Sequence, residues 1–169
     1  MISRILVGLG DHAYSTAATQ MAMELSRTQN ADLTGLCILD RERIGATGPV
    51  PVGAGCAAAE LRAHRIAEAK KIIDSVTTEF ADSATRAAIT HSIQVPEGDP
   101  YRCMANAARY HDLIVCGLGH LFEHGIVDEP PAELIRLVQA GVRPLIAVAQ
   151  KHRRINRVMI DYSGSMESA

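Results

Sequence analysis

Three short constellations in this chain carry residue types that could do chemistry. His120-Leu121-Phe122-Glu123-His124 spells H-x-x-E-H. On a helix, that spacing sets two imidazoles on one face for zinc and leaves the glutamate free to act as a general base. The run follows a glycine turn directly, Gly125 interrupts any helix behind it, and a third ligand would have to come from Asp128 or beyond. A metal-dependent hydrolase is thus one expectation, and a loop packed by Leu121 and Phe122 is the better account. Asp11, His12 and Ser15 offer a carboxylate, an imidazole and a hydroxyl. A hydrolytic triad needs its base between two partners, which so short a segment does not provide. These residues read instead as helix caps with one exposed histidine. Asp161-Tyr162-Ser163-Gly164-Ser165 spells DxSxS after an apolar run. Its oxygens suit a hard cation such as Mg²⁺, but the same text is explained by a repeat described below, and no metal ligand is assigned.

A ligand site is expected elsewhere, around His111–His120. Leu113, Ile114, Val115 and Cys116 form a continuous apolar run followed at once by Gly117-Leu118-Gly119. Such a run reads as a strand buried on both faces, and the carboxyl end of such a strand is where open α/β sheets bind ligands.

The elements that must position this turn follow from pattern. Ile5–Gly10 reads as a first strand ending in glycine, and Ala17, Ala18, Met21, Ala22 and Leu25 recur at helical spacing up to Arg27. Leu33–Leu39 is a second strand with Asp40 at its end. Residues 41–55 are rich in glycine and proline and read as an irregular loop, either a lid or a plain connection. A long helix over 57–80 follows, with Leu61, Ile66, Ile73 and Val76 on its apolar face. Its Arg62, Arg65, Lys70 and Lys71 alternate with Glu60 and Glu68 as a solvated face. Residues 87–95 alternate as an edge strand, with His91 half-buried in it. Asp99-Pro100 starts a third helix as N-cap and N1. A fourth helix follows Pro130-Pro131, turning Leu134, Ile135 and Val138 inward and closing at Gly141, before a last strand over 145–149. Strand and helix alternate five times, which predicts a doubly wound parallel sheet with right-handed crossovers.

Bulk properties narrow the function. The 169 residues are 47% hydrophobic and 21% charged, with a formal net charge of -2. That suits one α/β domain and gives no reason to expect nucleic acid or an anionic membrane as partner. No apolar run approaches the roughly 18–20 residues that span a bilayer, and the N-terminus lacks a signal-peptide layout, so a cytoplasmic protein is expected. Cys37, Cys56, Cys103 and Cys116 form no CxxC pair and read as reduced packing residues, Cys116 included.

Residues 157–162 (RVMIDY) resemble residues 4–9 (RILVGL). The expected organisation is one domain over 1–150, then a basic linker and the first strand and turn of a second copy over 151–169.

The ILVGL first strand, VPEGDP before the third helix, YHDLIVCG and VRPLIAVA together resemble the universal stress protein family across residues 2–150. The resemblance implies a five-stranded parallel sheet of order 3-2-1-4-5 with helices on both faces. It further implies pairing along strand five, as a homodimer or between tandem domains, and in some members ATP with Mg²⁺. It directs ligand binding to Gly10, Asp11, Asp40, Gly117, Gly119 and His120. Backbone N–H groups after Gly117 would hold an anion, and the ends of strands one and two would flank a base. This chain departs from the ATP-binding pattern at two of these places. Gly10 stands where an acid is expected, and His120 stands where a second glycine is expected. Asp128, Glu129 and Glu133 lie downstream, where a triphosphate would be repelled unless Mg²⁺ bridges it. The two expectations that follow are a regulatory domain binding a nucleotide or small anion, and an interaction module with a degenerate site.

Overall fold

The computed structural model describes residues 1–46, 48, 51, 53–118 and 132–159. Five strands form one parallel sheet: β1 (Arg4–Gly8), β2 (Asp32–Leu36), β3 (His91–Gln94), β4 (Leu113–Gly117) and β5 (Leu145–Val148). Their order is β3-β2-β1-β4-β5, as the family resemblance implies. Five helices are described: α1 (Ala13–Gln29), α2 (Arg41–Ile44), α3 (Gly55–Arg86), α4 (Pro100–Ala108) and α5 (Ala132–Gln139).

Side chains along a strand alternate between faces, and the sheet uses this to build two cores. Ile5, Val7, Leu113 and Val115 pack on one face with α1 and α3, through Ala18, Met21, Ile73 and Phe80. Leu6, Ile114 and Cys116 pack on the other face with α4 and α5, through Met104, Ala108, Leu134 and Leu137. Asp99 accepts from Arg102 N at 2.9 Å and Pro100 opens α4, the helix start read from GDP. Gly141, at φ 58, lies just beyond α5, where the left-handed conformation favours glycine.

Several expectations are corrected. The loop over 41–55 contains α2, because Asp40 caps it by accepting from Arg43 N at 3.0 Å. Helix α3 runs from Gly55 to Arg86 rather than 57–80; Phe80 and Ala84 are buried, so its apolar stripe continues past the expected end. Leu61 is exposed rather than part of that stripe. The reason is length. Helix α3 has 32 residues, about 48 Å at 1.5 Å per residue, whereas β1 has five residues, about 17 Å. The amino-terminal half of α3 therefore overhangs the sheet. β2 stops at Leu36, although Cys37 N still bonds Gln94 O and Leu39 N bonds Pro96 O. β3 begins only at His91. In α5, Leu134 and Leu137 face inward while Ile135 and Val138 are exposed, since the buried stripe of this edge helix is one residue pair wide. The basic linker is not merely solvated: His152 Nε2 lies 3.0 Å, and Arg154 Nε 3.5 Å, from the Glu24 carboxylate of α1. Residues 151–159 carry no strand, and the rest of the expected second copy lies outside the described residues.

Candidate functional site

The turn from β1 into α1 is fixed by Ser15. Its Oγ accepts from Gly10 N at 2.6 Å and donates to Gly8 O at 3.3 Å. His12 Nδ1 accepts from Ser15 N at 3.1 Å as the N-cap of α1, so the imidazole is a cap, and it is half-buried rather than exposed. Hydroxyl and imidazole are thus committed to the backbone.

This turn holds Gly10 and Asp11 at the mouth of a cleft of about 520 Å³ at the carboxyl ends of β1 and β2. Leu9, Cys37 and Ile38 line it from the sheet end, and Arg43 and Ile44 line it from α2. The overhanging part of α3 closes the far wall with His64, Arg65, Glu68 and Ala69, then with Ile73 and Val76 nearer the sheet. Such a site, mainly apolar with a few charged groups at the rim, is what small-molecule recognition uses.

Helix α2 is pinned as part of that wall. Arg62 Nε donates to Gly45 O at 3.2 Å and Arg65 to Ala46 O at 2.8 Å. Arg41 pairs with Glu97 at 2.7 Å, which ties the other end of α2 to the turn before α4. A Cβ on Gly45 would stand 2.9 Å from Arg62 Cγ, so α2 sits directly on α3.

Two titratable groups shape the local electrostatics. Burial, with the Asp11 carboxylate nearby adding to it, pushes the Cys37 thiol up to about 11, so it is a neutral floor group. Glu68 Oε1 accepts from Lys71 Nζ at 2.7 Å, and that hydrogen bond holds its carboxyl below the usual range.

Of the residues expected to bind ligand, the structure brings Gly10 and Asp11 to the cleft. Asp40 caps α2 instead and does not line it. Gly117 packs against α1: a Cβ there would stand 2.7 Å from Tyr14 Cβ and 2.8 Å from its carbonyl carbon. Gly119 and His120, with Glu123 and His124 of the zinc-like motif and the DxSxS run, lie outside the described residues. Among the described residues no group of three or more histidine, cysteine or acidic side chains could hold a metal ion. Sequence reading missed Arg43, His64 and Arg65, having assigned Arg65 to a solvated face. The available signal was the length of the helical pattern, too long for the strands it must cover.

The universal stress protein family model matches residues 1–127. Among solved structures, the universal stress protein UspA from Lactobacillus plantarum is 19% identical at a TM-score of 0.61, over 87% of this chain and 97% of that one. A universal stress protein in complex with cAMP is 15% identical at a TM-score of 0.60, over 89% and 98%. A family protein from Arabidopsis thaliana with AMP bound is 10% identical at 0.54, over 87% and 91%. No curated protein sequence matches. With the family model running through most of its length and the sheet in the order that the fold requires, this chain belongs to the universal stress protein family.

Proposed function

We propose that this chain is a regulatory domain that binds a nucleotide or another small anionic ligand in the cleft beside β1 and β2. The observation that carries this reading is the cleft itself. It places an apolar floor of Leu9, Cys37 and Ile38 beneath charged rim groups at the carboxyl end of a parallel sheet. Two relatives of the same fold hold cAMP and AMP, which supports a nucleotide as the class to test. Gly10 and Asp11 flank the base in this reading. Gly119 and His120 serve the phosphate side, and Mg²⁺ bridges any triphosphate to the acids downstream. The domain spans 1–150, with 151–169 opening a second copy, and it works in the cytoplasm. No helix among the described residues is long and apolar enough to cross a membrane.

The test is a thermal-shift titration with AMP and with ATP plus Mg²⁺, because a ligand that binds only the native state stabilises it by mass action. At a hundredfold excess over Kd the gain is about 2.7 kcal/mol, or roughly 5–10 °C for a domain of this size. Ala69→Phe fills the cleft from α3 and is expected to abolish the shift. A wild-type chain that never shifts at millimolar nucleotide overturns the reading.

A second reading has its own support. β5 is a sheet edge with Ala147 exposed, and Ile135 and Val138 on neighbouring α5 are exposed large apolar residues. A homodimer or tandem pairing along strand five covers such an edge. Sedimentation of the chain with and without Val138→Glu distinguishes it.

A further inference from the structure

After β5 ends at Val148, the described chain through Met159 forms no helix or strand. It is nevertheless held, and by one residue of α1. Glu24 shares a helix face with Gln20 and Thr28, and its two carboxylate oxygens meet two basic side chains of this segment. Oε2 lies 3.0 Å from His152 Nε2, and Oε1 lies 3.5 Å from Arg154 Nε. The histidine is the enclosed partner, 23% exposed against 80% for the arginine. Its Nε2 is shut off from solvent and has no well-aligned hydrogen bond among the described residues, so the carboxylate beside it is what answers its charge.

The surroundings make Glu24 decisive. The segment, α1 and the end of α3 line one open depression, and the other charged groups that α1 and α3 bring to its described lining are Arg27 and Arg86. Arg86 donates to Asp82 O and to Ser83 Oγ, both at 3.2 Å. The segment itself adds Lys151 and Arg153 to the positive side. Without the Glu24 charge, like charges would face one another across the depression.

We infer that Glu24 is a latch: it holds the segment after β5 as a strap across α1, and it grips more firmly when His152 is protonated. A guanidinium keeps its charge throughout the neutral range, whereas an imidazole exchanges its proton between about pH 5 and 8. Acidification therefore adds the better-enclosed ion pair. Raising the pH leaves the exposed one, which solvent and salt screen. The latch thus sets the direction in which Ile155, Val158 and Met159, all exposed, are presented.

Limited trypsin digestion of the full chain reads the strap through cleavage after Arg153. Each rate is divided by that of a free peptide of the same sequence over 148–159 at the same pH. Glu24→Gln should speed this cleavage about two- to fivefold at pH 6, and the gain should shrink as salt is added. In the wild type the cleavage should be slower at pH 6 than at pH 8, and His152→Gln should remove that difference. His152→Gln/Arg154→Gln changes only the strap, outside both cores. It should match Glu24→Gln, and it keeps the test open where the change in α1 lowers stability. Cleavage after Arg27 in α1, read from the same digest, should stay at the wild-type rate. Equal cleavage after Arg153 in the wild type and both latch variants overturns the proposal. So does a gain that appears equally after Arg27, which would place Glu24 in the fold rather than in the latch. A pH difference that survives His152→Gln overturns the part given to the histidine.

Discussion

Gly117 leaves no space for a side chain beside Tyr14: a Cβ on Gly117 would stand 2.7 Å from Tyr14 Cβ and 2.9 Å from Tyr14 O. The glycine that ends β4 thus lets the first turn of α1 settle on the strand, with no room for a side chain. Its role in this contact is packing, whatever the residues after it do for a ligand.

The consequence is testable. Gly117→Ala should lower stability by about 1–3 kcal/mol, the usual cost of forcing a methyl into a packed contact. Urea denaturation with an unchanged m-value checks this, since a change confined to the midpoint is a change of native stability. A variant as stable as wild type would mean that α1 can back away from β4. Loss of ligand binding in a Gly117 variant is therefore not evidence for a phosphate contact, and Ala69→Phe is the cleaner probe of the cleft.

Ser15 makes a second prediction. Its buried hydroxyl satisfies both Gly10 N and Gly8 O, and alanine leaves two polar groups without that partner. The expected loss for Ser15→Ala is about 1–3 kcal/mol. Amide exchange should show where it falls: faster exchange at Gly10 with little change at the centre of β4 marks a local effect on the cleft mouth. Uniformly faster exchange would instead mean that the turn holds the whole domain together.

Much of the fold was legible because its signals are local and repeated. The apolar runs 5–9 and 113–116, the Asp99-Pro100 start and the Gly141 stop each declare an element through residues adjacent in sequence. The site was legible only in part. Gly10 and Asp11 follow a strand, and the general rule for parallel sheets places them at the ligand end. Arg43 and Arg65 reach the cleft because α2 folds back onto a helix that outruns its sheet, a relation between distant segments that no periodicity encodes. The same holds for Val138: helical spacing marks it as apolar, but whether it faces the core depends on α5 covering an edge rather than the centre of the sheet.

Asp112 ties together the amino-terminal ends of the neighbouring strands β1 and β4. Its Oδ2 accepts from Ser3 N at 2.8 Å and Arg4 N at 2.9 Å. These backbone hydrogen bonds hold its carboxyl below the ordinary value of 3.8. A depressed folded-state pKa contributes stability above the unfolded value and loses it as pH falls through the folded one. Asp112→Asn should therefore melt below wild type at pH 7, and the gap should narrow as pH is lowered beneath about 3.8. Thermal melts at pH 7 and pH 3 check both parts. A gap that is constant with pH would place the effect in the shape of the side chain rather than in its charge.

The four cysteines should separate by reactivity. Cys116 is fully buried, and burial pushes its thiol up to about 12, while Cys37 is pushed up to about 11 for the same first reason. The thiolate is the reactive species, so both should resist a disulfide reagent in the native chain at pH 8. Cys56 is exposed at the start of α3 and should react first; Cys103, half-buried with a thiol raised by burial and by Asp99, should follow more slowly. Counting released chromophore under native and denaturing conditions reads this directly, with two groups labelled natively and four after unfolding. Cys37 also reports on the cleft, because it lines the floor on which the ligand is placed. Raising the pH toward 10 should begin to label Cys37 ahead of Cys116, and saturating AMP should suppress that labelling. Labelling of Cys37 that AMP leaves unchanged would put the nucleotide away from the floor of the cleft.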